Sequence, residues 1–207
     1  MPMWRTSPIL FSGPMVRGLL EGRKTQTRRL AKRQDIFFRN GRPWVPTGIH
    51  SEMPYTQPGW SVGDLLWVRE TWRPLHSGDP SRGARYRADA GADQTLWRPA
   101  IYMPRWASRL TLEVTGVRVE RLQDISRDDA IAEGLVQLPA THRYVVSLGD
   151  QYFGLASHDP REVYAAFWDS INNKPGRRWA NNPWVMALTF RVHRSNIDAV
   201  LKESVAA

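Results

Sequence analysis

Glu21-Gly22-Arg23-Lys24-Thr25-Gln26-Thr27-Arg28-Arg29 is the stretch from which the rest of the chain is best read. If the chain leaves a helix at Gly22 and becomes extended, Lys24, Gln26 and Arg28 face one way. Thr25, Thr27 and Arg29 then face the other, because side chains alternate along a strand. A turn between Lys24 and Thr27 would instead bring these two side chains together. A lysine among guanidinium groups is pushed toward its neutral form by like charge, and burial pushes it the same way. Neutral lysine takes a proton from a hydroxyl, so Lys24 and Thr27 are a candidate base and nucleophile. The plainer alternative is a solvated basic segment at a helix end, where the helix dipole favours cations.

Upstream, Pro8 to Phe11 reads as a strand. Ser12 is a fitting N-cap, Pro14 suits a first turn, and Met15, Leu19 and Leu20 recur at helical spacing up to a stop at Gly22. Downstream, Gln34 to Trp60 is rich in Pro, Gly and aromatics and reads as a loop insertion. Asp64 to Glu70 is a buried strand entered through Gly63-Asp64, and 73–99 is again irregular. Leu110 to Val119 alternates as a long strand, with a bulge expected at Gly116. Ser126 to Asp129 has the pattern of a capping box opening a short helix that ends at Gly134. After a third insertion, Pro160 opens a helix through Asn172 with Val163, Phe167, Trp168 and Ile171 on one face. A strand from Trp184 to Val192 and a short helix from Asn196 to Glu203 close the pattern. No repeat or linker divides the chain, so the expectation is one domain over 1–207, with insertions near 34–60, 73–99 and 135–158. The element order does not alternate as in a doubly wound sheet. It predicts an α+β fold: a β-barrel core with peripheral helices.

With 207 residues and 42% apolar composition the chain can fill a core. It has no apolar run long enough for a transmembrane helix and no secretory pattern at Met1 to Arg17, so no membrane association is expected. Cysteine is absent, which removes disulfides, thiolate nucleophiles and cysteine–zinc sites and suits a cytoplasmic setting. The net charge of +9 points to anionic partners. Only Lys24, Lys32, Lys174 and Lys202 among the 29 basic residues are lysine, and arginine does not act as a base, so candidates for proton transfer are few. Ten tryptophans supply core or faces on which bases stack. The five histidines are scattered without metal-ligand spacing, and neither a phosphate loop nor a Gly-x-Ser-x-Gly elbow is present. No metal or cofactor is therefore expected, and a lysine or carboxylate mechanism remains.

Gly22-x-Lys24-x-x-Thr27-x-Arg29 resembles the signature of ASCH domains, a branch of the PUA-like β-barrel superfamily. Arg23-Lys24-Thr25-Gln26-Thr27-Arg28-Arg29 is similar to the segment of small bacterial members that hydrolyse N(4)-acetylcytidine, position by position. Gly63-Asp64-x-Leu66-x-Val68-Arg69-Glu70 and Tyr102-Met103-Pro104-Arg105-Trp106 resemble longer, prophage-associated ASCH proteins. The resemblance implies a PUA-like barrel and a metal-independent amidohydrolase with a nucleoside substrate. Its catalytic set would be Lys24, Thr27 and a glutamate on a later short helix, here Glu133. Arg29 would help to stabilise an oxyanion, and Trp67, Arg69 and Glu70 would bind substrate. Read from the residues alone, Trp67 and Trp106 also fit a core, and Arg69 and Glu70 fit a structural ion pair at a strand end. The alternative functions are an RNA-binding module, supported by the charge and the tryptophans, or a ribonuclease using Lys24 and Glu133. The three insertions are departures from the minimal amidohydrolases.

Overall fold

A computed structural model describes residues 5–55, 60–76, 83–90, 96–150 and 154–206. The parts of the expected insertions at 56–59, 77–82, 91–95 and 151–153 lie outside the described residues. Along the chain run β1 (Thr6–Leu10), α1 (Gly13–Leu20), β2 (Gln26–Leu30), β3 (Phe37–Arg39), β4 (Arg42–Gly48), β5 (Ser51–Pro54) and β6 (Leu65–Arg69). There follow β7 (Trp72–Pro74), β8 (Ala84–Tyr86), β9 (Thr111–Arg121), α2 (Arg127–Ala132), β10 (Val136–Gln137) and β11 (Tyr144–Val145). The last are α3 (Pro160–Ile171), β12 (Trp184–His193) and α4 (Ile197–Ala206). With 26% helix and 35% strand the fold is mixed α+β, as expected. The expected barrel core is not confirmed: the described residues form four sheets, and none of them closes. No helix among the described residues is long and apolar enough to cross a membrane.

The chain divides into two compact units, each assembled from separated segments. Unit 1 comprises Met1–Thr25, Ser61–Thr115 and Phe190–Ala207. Here β1 lies parallel to β6, with Thr6 opposite Leu65, and β6 pairs antiparallel with the first residues of β9. Helix α1 starts where Pro14 fits the first turn and ends because Gly22, at φ +76°, takes the left-handed conformation that stops a helix. It buries Met15, Val16 and Leu19. Ile197 and Val200 of α4 pack on Leu65, and Trp72 packs with Met103 and Ala107.

Unit 2 comprises Gln26–Trp60 and Gly116–Thr189. Here β12 pairs antiparallel with β2, Leu188 lying opposite Thr27. Its larger apolar cluster joins Leu122, Ile125 and Ala130 to Val163, Tyr164 and Trp168 of α3, and Val185. Ile171, expected on this face, is the last residue of α3 and is 54% exposed. Strand β9 runs on through Gly116, where a Cβ would stand 3.4 Å from that of Thr189, an ordinary van der Waals contact.

The insertions are not loops throughout. Residues 37–54 form a three-stranded antiparallel sheet whose first turn, Asn40-Gly41, has positive φ at both residues (50° and 72°). That is the geometry a tight hairpin requires. Residues 72–86 and 136–145 hold two further hairpins, β7–β8 and β10–β11.

Candidate functional site

In unit 2 the site is built around Arg28. The Ser126 hydroxyl accepts the Asp129 backbone N–H at 3.0 Å and so starts α2, one half of the expected capping box. The helix stops when Gly134 adopts φ +103° and returns its N–H to the Ile131 carbonyl. Glu133 therefore sits at the helix C-terminus, 3% exposed, a costly place for a carboxylate without a cationic partner. That partner is Arg28. Its guanidinium donates to Glu120 at 2.8 Å, to Asp129 at 2.9 Å and to Glu133 Oε1 at 3.2 Å. Gln26, two residues away on the same face of β2, donates to Asp129 at 2.7 Å. Arg118 reaches Asp129 and Glu120 from the solvent side. The Tyr164 hydroxyl donates to Glu133 Oε1 at 3.3 Å.

The electrostatics follow from this packing. Burial alone would lower the Arg28 pKa, but Glu133, Glu120 and Asp129 together carry it above its ordinary value. Burial holds Arg29 below its ordinary value, with Glu133 opposing. Burial tends to raise Asp129, yet Gln26, Arg28 and Arg118 hold it below the usual carboxylate value. Burial, reinforced by Glu133, pushes Tyr164 well up, so it remains a neutral phenol and a hydrogen-bond donor.

In unit 1, Lys24 follows the helix stop at Gly22 and is 1% exposed. Its backbone N–H donates to the Gly18 carbonyl at 3.0 Å, and its ammonium lies 5.5 Å from the centre of the Phe11 ring. Thr27 and Arg28 are each 3% exposed, so the solvated basic segment does not describe this stretch. Trp67 is half-buried, and the Arg69 guanidinium lies 5.4 Å over its ring while donating to the Ile101 carbonyl. Arg69 is not the partner of Glu70. Glu70 is 1% exposed and bound through both oxygens by Arg109, at 2.8 and 3.0 Å. Adjacent residues of a strand face opposite ways, whereas Arg109 approaches from 39 positions further along. Arg109 also grips Asp89 at 2.6 and 2.9 Å and lies 3.9 Å over the Tyr86 ring. Burial lifts the Glu70 carboxyl above its ordinary value despite Arg109.

Thr27, Arg29 and Glu133 thus fall in unit 2, and Lys24, Trp67, Arg69 and Glu70 in unit 1. Sequence reasoning left Arg28, Glu120 and Tyr164 without roles and gave Asp129 only a capping role. The one usable signal was the shared parity of Gln26 and Arg28 on an extended segment. Among the described residues no group of three or more His, Asp or Glu is arranged to hold a metal ion. Compared with known proteins, the chain matches no family model, no curated protein and no solved structure.

Proposed function

We propose that the protein is an amidohydrolase that removes the acyl group from N(4)-acylated cytosine nucleosides. The reading rests on the resemblance of Arg23 to Arg29 to the ASCH signature and includes that family's PUA-like barrel and a cytoplasmic setting. The observation that carries it is the burial of Lys24, at 1% exposure. A lysine with only a surface role has no reason to lose its hydration, so the burial of this amine favours a role in proton transfer. Thr27 and Glu133, both 3% exposed, give the same motif its hydroxyl and its carboxylate.

In this mechanism the Thr27 Oγ attacks the acyl carbon as its proton passes to Lys24 Nζ. Arg29 and a backbone N–H stabilise the oxyanion. The bond from the acyl carbon to the exocyclic nitrogen breaks, and the protonated Lys24 supplies the proton the departing amine takes up, directly or through Glu133. Water then cleaves the threonyl ester to release the carboxylic acid. A variant of the scheme has Thr27 and Glu133 hold a water that attacks directly. Trp67 and Arg69 are the proposed contacts to substrate, whereas Glu70, buried with both oxygens bound by Arg109, is not one.

The test is ultraviolet absorbance of N(4)-acetylcytidine and N(4)-benzoylcytidine with purified protein and EDTA. Conversion to cytidine is expected for the wild type, with turnover reduced about 10²–10⁴-fold in Lys24→Ala and in Glu133→Gln. A folded variant with near-normal turnover removes that residue from the mechanism. Failure of the wild type to convert either compound rejects the hydrolase reading in favour of RNA binding or cleavage.

A further inference from the structure

The β7–β8 hairpin of unit 1 has two unlike faces. One is apolar: Trp72 lies opposite Tyr86, and both pack with Met103 and Ala107. The other is cationic. Arg73 lies directly opposite Arg85, and Arg87 follows Arg85 with the same parity, roughly 7 Å along the chain. Like charges directly opposite each other across a strand pair are destabilising. Among the described residues no carboxylate pairs with Arg73 or Arg85. Instead the Arg73 and Arg87 guanidinium carbons lie 5.5 and 5.8 Å over the ring of Trp97. The Nε–H of Arg73 and the indole N–H of Trp97 are buried donors with no acceptor among the described residues.

We infer that this face binds single-stranded nucleic acid. Arg85 and Arg87 at strand spacing, with Arg73 opposite Arg85, gather three cations on one face, and Arg85 is exposed with no carboxylate partner among the described residues, so phosphate oxygens can accept from it. Guanidinium planes backed by an indole offer flat faces on which unstacked bases lie, which a bare cluster of cations does not. The surface lies in the 73–99 region, an insertion relative to the minimal amidohydrolases. It is separate from the Lys24 motif and stands whether or not that motif hydrolyses a nucleoside.

The test is fluorescence anisotropy of a labelled single-stranded RNA of about 12 nucleotides with the full chain, from about 50 to about 200 mM salt. Binding by the wild type is expected to weaken steeply with salt. Arg85→Gln, an exposed position, is expected to weaken binding several-fold at low salt and to reduce the log–log slope by about 0.7. Arg42→Gln removes the same charge from an exposed position on β4 and should change neither. Absence of binding overturns the inference, as does an equal loss in both variants, which would mean that net charge alone attracts the strand. Inorganic polyphosphate that competes as well, per charge, as unlabelled RNA also overturns it, because bases then contribute nothing.

Discussion

Arg28 in unit 2 and Arg109 in unit 1 each pair with a buried glutamate, Glu133 and Glu70, and the way they are held differs. Arg109 gives two parallel bonds to Glu70 and two to Asp89, with Tyr86 beneath it and 22% of its side chain exposed. Glu70 is thereby clasped through both oxygens, as in a structural clamp. Arg28 has no exposed side-chain surface and divides its donors among three carboxylates. Arg28 and Tyr164 converge on a single oxygen of Glu133 through contacts of 3.2 and 3.3 Å, longer than those of the clamp. Burial is common to both centres. What separates them is how the arginine is used: Arg109 gives paired bonds to each of two carboxylates, whereas Arg28 is shared among three.

The strongest way to break this contrast is to remove each arginine. Arg28→Met strands three carboxylates together and is expected to cost about 3–5 kcal/mol, read as a lowered urea midpoint. Arg109→Met should cost no more than about 3 kcal/mol, because this arginine and Asp89 are partly solvated. Equal losses would mean that the two centres are energetically alike.

A medium-sized effect concerns pH, where the two centres have opposite signs. The folded pKa of Asp129 lies below its ordinary 3.8, so its contribution is complete above that value and is lost as pH falls through the folded pKa. The folded pKa of Glu70 lies above its ordinary 4.5, so its contribution is complete below that value and is lost as pH rises through the folded pKa. The penalty of Asp129→Asn should therefore shrink on acidification, whereas that of Glu70→Gln should shrink as pH rises from about 4.5. Urea melts at a series of pH values report both, and parallel trends would remove the distinction.

The smallest effect sharpens the contrast. Tyr164→Phe deletes one long hydrogen bond to Glu133 and should cost about 1 kcal/mol. A much larger loss would show that Tyr164 clasps Glu133 as firmly as Arg109 clasps Glu70.

Local pattern made much of this architecture legible. The helix stop at Gly22, the strand over Leu65 to Arg69, the alternation of β9 and the start of α2 at Ser126 depend on neighbouring residues and were readable. The sheet over 37–54 was legible in principle, since Asn40-Gly41 is a strong hairpin signal. It was masked by the prolines and aromatics around it. The partner of Glu70 was not legible: Arg69 is adjacent in sequence and Arg109 is not, and no local period encodes a pairing over 39 positions. The same holds for Arg28, whose carboxylates lie 92 to 105 positions away. Of the candidate catalytic set, residue types and spacing came from the motif, and the burial of Lys24, Thr27 and Glu133 came from the fold.

The segmented make-up of unit 1 bears on how the chain is made. Its first segment, Met1–Thr25, carries Lys24, and its last is Phe190–Ala207. Synthesis proceeds from the first toward the last, so the segment bearing Lys24 leaves the ribosome long before Ile197 and Val200 exist to cover Leu65. All of unit 2 is translated in that interval. Unit 2 can therefore consolidate while its neighbour still waits, and apolar surface on β6 stays uncovered until the final helix arrives. A nascent chain held at Thr189 would carry every residue of the Arg28 centre and an unfinished Lys24 unit. The early basic motif thus belongs to a unit that is finished only after Ile197 and Val200 have been made.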